Sequence, residues 1–327
     1  MSINKIKVWR TVHEIEQNRD IWEKIVSDQA NMTINADIDR YLSFIMSSDN
    51  KSTPYVLVLY NDNLVKGLIV GRLEVHQVGL NIGYKNILKP QLECLTIVYG
   101  GFLGEIENQS LEIVFDHVKQ MFASRKISLI WFNHIQANSE LEKSIKQFTK
   151  TRKMPICFNE KEIHRSLIIP DSLESFYKQR SSKHRKKLKR YVRKAEQEFS
   201  ETFNIVLYKS CDDLKQAISD ICSISEKTYQ YQLGNGIENN NLTYNMFSTA
   251  AKNDWLRAYV LYLDNEPAAF RIMLKYKRTY YANGIGYLPK YKNFRIGTVL
   301  FIKVLENICM KKDADEYDFG FGEAEYK

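Results

Sequence analysis

Tyr280-Tyr281-Ala282-Asn283-Gly284-Ile285-Gly286-Tyr287, followed after a short polar stretch by Phe294-Arg295-Ile296-Gly297-Thr298-Val299-Leu300, decides how the rest of the chain is read. The first segment predicts a strand, and the second opens a helix over 297–311. A strand that runs through a short loop into a helix places first-turn N–H groups, which have no intrahelical acceptor, beyond the strand's end. Such a helix start attracts phosphate through its oriented donors and the positive end of its dipole. Gly297 lets a phosphate approach the main chain without meeting a Cβ, and Arg295 and Lys292 add charge pairing. The same residues also read as a plain helix cap beside a solvated arginine, and spacing alone does not separate the two.

Working outward, strands at Leu256–Leu263 and Ala268–Tyr276 flank the turn Asp264-Asn265-Glu266, and another strand, Glu316–Gly320, follows the late helix. Upstream lie a strand at Phe203–Tyr208, helices over 212–229 and 244–252, and a polar loop, Gly234–Asn241, expected to be mobile. The first half has the same grammar. A short strand near Lys5–Val8, a helix over 14–27 and a second helix capped by Asp37 precede two apolar runs, Pro54–Tyr60 and Leu64–Leu73, around Asn61-Asp62-Asn63. Cys94–Tyr99, a helix over 109–123, Ile127–Phe132 and a helix over 140–148 complete it. Val58-Leu59-Tyr60-Asn61-Asp62-Asn63-Leu64 overlays Leu261-Tyr262-Leu263-Asp264-Asn265-Glu266-Pro267 without a gap. A duplicated α/β unit is the economical account, with domains at 1–168 and 169–327; 327 residues suit two domains of ordinary size.

Composition narrows the function classes. The chain is 44% hydrophobic and 26% charged, as expected of a globular protein. No apolar run is long enough for a membrane span, and Met1–Lys7 has no signal core behind it. Five scattered cysteines form no C-x-x-C pair, which predicts reduced thiols in a cytoplasmic protein and gives metal chemistry no ligand set. The formal charge of +8 is local. Ten Lys or Arg and no acid lie between Lys178 and Lys194, and subtracting those ten leaves −2 for the remainder. Leu188, Tyr191, Val192, Ala195 and Phe199 give that segment one apolar face, so it predicts a packed helix with its cations turned outward. Solvated charge is the default reading; an anionic partner such as coenzyme A phosphates, a nucleotide-sugar or tRNA is the functional one. The segment lacks the interleaved aromatics of a single-strand binder, and DNA is the least supported partner.

The strand–loop–helix unit resembles the coenzyme A pyrophosphate loop of GNAT acetyltransferases, Arg/Gln-x-x-Gly-x-Gly/Ala. More closely, Tyr287-Leu288-Pro289-Lys290-Tyr291, Gly297-Thr298-Val299-Leu300 and Tyr317-Asp318-Phe319-Gly320-Phe321-Gly322-Glu323-Ala324-Glu325-Tyr326-Lys327 resemble the acetyltransferase-like domain associated with cellulose and exopolysaccharide biosynthesis. Its members end this strand in D-F-G-x-G-x-x-x-Y-K and open with a basic helix like Ser182–Arg190. The resemblance covers roughly Leu167 to Lys327. It implies tandem GNAT-like domains of α/β (α+β) class, each a mixed, mostly antiparallel sheet flanked by helices, the first degenerate. It also implies that the second domain continues past Lys327.

The function that follows is N-acyl transfer from acetyl-coenzyme A or another acyl-coenzyme A, without metal, to an amine-bearing small molecule or sugar. Phe294, Arg295, Ile296, Gly297, Thr298 and Val299 would form the pyrophosphate loop, although Phe294 stands where Arg or Gln is usual and Val299 where Gly or Ala is. Asp318 or Glu323 would take the amine proton and Tyr326 would return one to the thiolate. Tyr281, Asn283 and Arg185 would line the acceptor side. Two alternatives stand beside this reading: a Fem-like aminoacyl transferase using aminoacyl-tRNA, and an inactive GNAT-fold binding module.

Overall fold

Two hairpins organise the chain, and both close on a two-residue turn. In the computed structural model, which describes residues 3–322 apart from 30–31, 49–50, 83–84, 107, 158–160 and 235, the chain divides into two compact units, Met1–Lys161 and Glu162–Lys327. Glu323 and Tyr326 lie outside the described residues.

The first unit runs β1 (Lys5–Trp9), α1 (Val12–Gln17), α2 (Arg19–Ser27), α3 (Ile38–Ser47), β2 (Ser52–Asn61), β3 (Leu64–Gln77), β4 (Leu80–Ile82), β5 (Lys85–Leu88), β6 (Gln91–Gly104), α4 (Asn108–Ala123), β7 (Leu129–Phe132) and α5 (Glu140–Arg152). Its five-stranded sheet has the order β1-β2-β3-β6-β7, antiparallel except for the last pair. The helix predicted over 14–27 is two helices, because the Asn18 side chain bonds the Glu14 carbonyl (2.7 Å) and the chain restarts there. Asp37 caps α3 as expected, accepting from the Asp39 N–H at 2.9 Å. Tyr55, Leu57, Leu59, Ile69 and Leu95 pack one sheet face against Val114 and Val118 of α4. That burial is the main favourable term for the unit, at roughly 25 cal/mol per Å² of apolar surface.

The second unit runs β8 (Arg165–Ile168), α6 (Leu173–Lys178), α7 (Ser182–Glu198), β9 (Asn204–Tyr208), α8 (Leu214–Ser225), α9 (Tyr229–Gln232), α10 (Asn241–Lys252), β10 (Leu256–Leu263), β11 (Glu266–Tyr276), β12 (Thr279–Tyr287), a 3-10 turn (Pro289–Phe294), α11 (Ile296–Lys311) and β13 (Glu316–Gly320). Its sheet order is β8-β13-β12-β11-β10-β9. The boundary drawn from sequence after residue 168 is corrected here: β8 pairs antiparallel with β13, so it belongs to the second sheet. A four-residue strand shows its long-range partner nowhere in its own sequence.

Strands β9-β10-β11-β12-β13 reproduce the order and sense of β1-β2-β3-β6-β7. The gapless overlay of the hairpins is off by one residue. Asn61 closes on Leu64 around Asp62-Asn63, and Leu263 closes on Glu266 around Asp264-Asn265, an offset of 202 rather than 203. At this offset the bulges also coincide, between Leu59/Tyr60 and Leu261/Tyr262. Asp264 and Asn265 both adopt left-handed conformations (φ 52° and 61°), the primed turn that matches strand twist. Asn265→Gly is therefore expected to leave stability unchanged or raise it by up to about 1 kcal/mol, read from urea midpoints; a clear loss would contradict the turn assignment.

Candidate functional site

Two layers cover the second sheet. Phe301 of α11 packs its ring against Tyr317 (5.9 Å) and Phe319 (5.7 Å) of β13. Helices α6 and α7 join α11 in that layer through Phe176, Leu188, Ile302 and Leu305. On the opposite face α8 contributes Asp220, which accepts from Tyr208 Oη at 2.8 Å and also from Tyr262 Oη. Register partners share a face, so Tyr281 and Asp318, paired across β12 and β13, both lie on the α8 side.

Those two strands pair in parallel over only three positions, Thr279↔Glu316, Tyr280↔Tyr317 and Tyr281↔Asp318. Among the described residues, β12 continues beyond them to Tyr287 without a ladder to β13, leaving a fork. A bulge lies at its root: Met273 pairs with Ala282 and Ile272 with Gly284, so Asn283 stands outside the ladder and is exposed in mid-sheet. β10 and the centre of β11 are buried, whereas most β12 residues are partly exposed. Gly286 faces the Phe270 ring so closely that a Cβ there would run into it, and Gly284 faces Ile237 and Ile272. Ile237, in the loop expected to be mobile, is tied by its N–H to Ser225 Oγ at 2.7 Å.

The loop beyond β12 is anchored and then reverses. Tyr291 is buried; its hydroxyl donates to Glu266 Oε1 (2.7 Å) and lies 3.0 Å from Asp264 Oδ2. Burial and these two carboxylates push its pKa above the ordinary tyrosine value, so it stays a donor. Arg295 then turns left-handed (φ 53°) after the right-handed 3-10 turn, its own N–H donating to the Lys292 carbonyl at 3.1 Å. The carbonyl of Arg295 accepts from the N–H of Thr298 (2.8 Å) and Val299 (3.0 Å). The N–H groups of Ile296 and Gly297 come before these first intrahelical bonds and are left to an external acceptor. A Cβ at Gly297 would meet the Tyr287 ring at an ordinary 3.4 Å, so a small side chain fits beside this helix start without a clash.

The structure sorts the loop residues. Ile296 and Val299 are fully buried, so they face the loop through main chain alone, and the bulk of Val299 lies in the core. Phe294 packs on Phe199 of α7 (5.0 Å) with Lys194 Nζ 4.6 Å above its ring. Its side chain is part of the α7 interface rather than a ligand-facing group. Arg295 is exposed, and Gly297 and Thr298 are half-exposed. Tyr281 and Asn283 both lie at the fork. Arg185 does not join them: α7 packs in the α11 layer, on the other side of the sheet from Tyr281 and Asp318. A basic helix reads alike from sequence whichever face it covers.

Asp318 is held, not free. Its Oδ1 accepts from the Gly320 N–H (2.6 Å) and from His164 Nε2 (2.8 Å). Sequence reasoning missed His164, because 154 positions separate it from Asp318 and only the β8–β13 pairing brings them together. It also missed Arg271. That side chain is buried on the α11 side, donates to Tyr317 Oη at 2.8 Å and stacks over Phe301, while its Nε has no acceptor among the described residues.

Residues 182–327 match the family described as an acetyltransferase (GNAT) domain. No curated protein matches the chain. Among solved structures, FemX is 10% identical over 94% of this chain and 87% of its own, with a TM-score of 0.57. A tandem GNAT protein from the clavulanic acid biosynthesis pathway is 7% identical over 96% and 89%, with a TM-score of 0.54. A conserved protein of unknown function from Bacteroides thetaiotaomicron VPI-5482 gives 9%, 97%, 90% and 0.53. At these identities the likeness is one of fold, a tandem GNAT-like arrangement of mixed sheets flanked by helices. The family match lies within the second unit. Among the described residues no helix is long and apolar enough to cross a membrane.

Proposed function

We propose that the second unit transfers an acyl group from an acyl-coenzyme A to an amine, and that the first unit is a degenerate copy. The observation that carries this reading is the fork between β12 and β13 together with the helix start at Gly297 that follows β12. The Ile296 and Gly297 amides hold a pyrophosphate, helped by Arg295 and Lys292. The unpaired edge of β12 receives the extended arm of the donor as an added strand would be received. At the bulge, the main chain around Asn283 is released from the ladder and can polarise the thioester carbonyl as charge develops on it. Tyr281 and Asn283 line the acceptor side. The resemblance to polysaccharide-associated acetyltransferases suggests an amino sugar or a related envelope precursor as the acceptor. Isothermal titration with acetyl-coenzyme A tests the reading: binding in the micromolar range is expected, and no heat at millimolar ligand would overturn it.

One observation favours a second donor. The cations of α7 reach the loop itself, through Lys194 over Phe294, and FemX shares the fold. A Fem-like aminoacyl-tRNA donor would exploit that row of charge. Steeply salt-dependent tRNA binding with indifference to coenzyme A would select it over the thioester.

A further inference from the structure

We infer that His164 is the proton acceptor of the transfer step and that Asp318 positions it. The inference rests on the acyl-transfer reading and names a group at the same site. In the antiparallel register Arg165 pairs with Gly320, so His164 lies one residue beyond, at the carboxyl end of β13 where the fork opens. Ligands of open α/β sheets gather at the carboxyl ends of parallel strands. The imidazole lies against Phe321 with centroids 4.9 Å apart and the rings tilted by 41°, and is bonded to Asp318 at 2.8 Å. Exposure divides the labour. The His164 side chain is 38% exposed and the Asp318 side chain 11%, so an incoming amine reaches the imidazole, not the carboxylate.

The chemistry follows from the hydrogen bond. A carboxylate only accepts, so Nε2 donates to Asp318 and carries the ring's proton in the neutral imidazole, which leaves the lone pair on Nδ1. Asp318 is itself fixed by the Gly320 N–H, so the ring is oriented through a carboxylate that cannot swing away. This is the base-plus-orienter logic of a catalytic triad without a protein nucleophile. In the step, Nδ1 takes one proton from the acceptor ammonium and releases it to solvent. The freed amine attacks the acyl carbon and the carbon–sulfur bond breaks. The second amine proton ends on the departing thiolate, giving amide, thiol and one proton. Glu162 and Arg165 are the nearest charged residues to His164 in the chain, and the acid bonded to the ring at 2.8 Å is Asp318.

The test pairs binding with turnover. His164→Gln keeps a donor for Asp318 but has no basic lone pair. Acetyl-coenzyme A affinity by calorimetry should stay within about threefold of wild type, while kcat on amino sugars and amino acids falls roughly 10²–10³-fold. Hydroxylamine, already neutral at neutral pH, should be acetylated at a near wild-type rate by the same variant. In His164→Gly, added imidazole should restore turnover saturably, which a merely structural role would not produce. Turnover of His164→Gln within a few-fold of wild type, or inactivity of His164→Gly that imidazole does not relieve, would overturn the inference and leave the acyl-transfer reading standing. A wild-type protein that neither binds acetyl-coenzyme A nor transfers its acyl group would remove both.

Discussion

Gly297→Glu is expected to weaken acetyl-coenzyme A binding at least a hundredfold while leaving the melting temperature close to wild type. The two halves of that result have separate causes. A carboxylate at the helix start would face the diphosphate directly. Two unit charges about 4 Å apart repel by about 4 kcal/mol at an effective dielectric near 20, and a hundredfold loss needs about 2.7 kcal/mol. Stability should survive because the new Cβ meets only Tyr287, at an ordinary 3.4 Å. An acidic side chain in a helix's first turn is also favourable by roughly 0.3–1 kcal/mol. Gly297→Ala is the control and should bind nearly as well as wild type. Titration of the three proteins with acetyl-coenzyme A checks it; undiminished binding by the glutamate variant would remove the phosphate from this helix start.

Local signals made much of this architecture readable. Asn61-Asp62-Asn63 and Asp264-Asn265-Glu266 between strand-like runs announced both hairpins, and the spacing of Leu111, Val114, Phe115 and Val118 announced α4, whose inner face they form. The late loop and helix were legible because Gly297 opens an apolar run that follows a strand and a short polar stretch. What sequence left dark depended on partners far along the chain. The fork is an absence of pairing between β12 and β13, and no residue type encodes an absence. The bulge at Asn283 depends on register against Ile272 and Met273, and the His164–Asp318 bond on a strand of four residues finding β13. Arg185 fails for the converse reason: its sequence signal, charge, says nothing about which face of a sheet it covers.

The same register argument supports the proposal that the first unit is a degenerate copy. At the offset of 202, the row Arg72↔Thr96↔Trp131 occupies the place of Leu274↔Tyr281↔Asp318. Trp131 thus stands where the orienting carboxylate stands. The ladder break also differs. Between Ile97 and Phe102 the chain leaves the register, and Thr33 fills the space, its Oγ1 bonding the Tyr99 carbonyl at 3.1 Å and crowding Gly100. An arm threading that edge would meet protein.

What the first unit keeps in this place is a closed polar network, and it yields the second large effect. Glu74 accepts from Arg72 Nε (2.6 Å), Thr96 Oγ1 (2.6 Å), His76 Nε2 (2.9 Å) and Ser52 Oγ (3.0 Å). Burial pushes its carboxyl up, but the bonds from Arg72, Thr96 and His76 and the charge of Arg72 outweigh it and hold the pKa at about 2. A folded-state pKa below the ordinary glutamate value near 4.3 means that the carboxylate's contribution is fully present above that value. It is lost as pH falls toward 2, and amounts to about 3 kcal/mol. Glu74→Gln should therefore lower stability by about that amount at neutral pH and flatten the acid limb between pH 4.5 and 2, because the variant has no proton left to bind. A group ionised at every working pH cannot collect an amine's proton, so the same variant should leave acyl transfer by the second unit unchanged. Hydrogen exchange of the β3 and β6 amides across pH, alongside turnover, measures both. A variant as stable as wild type at neutral pH would deny the network its role, and a selective loss of turnover would return the first unit to the chemistry.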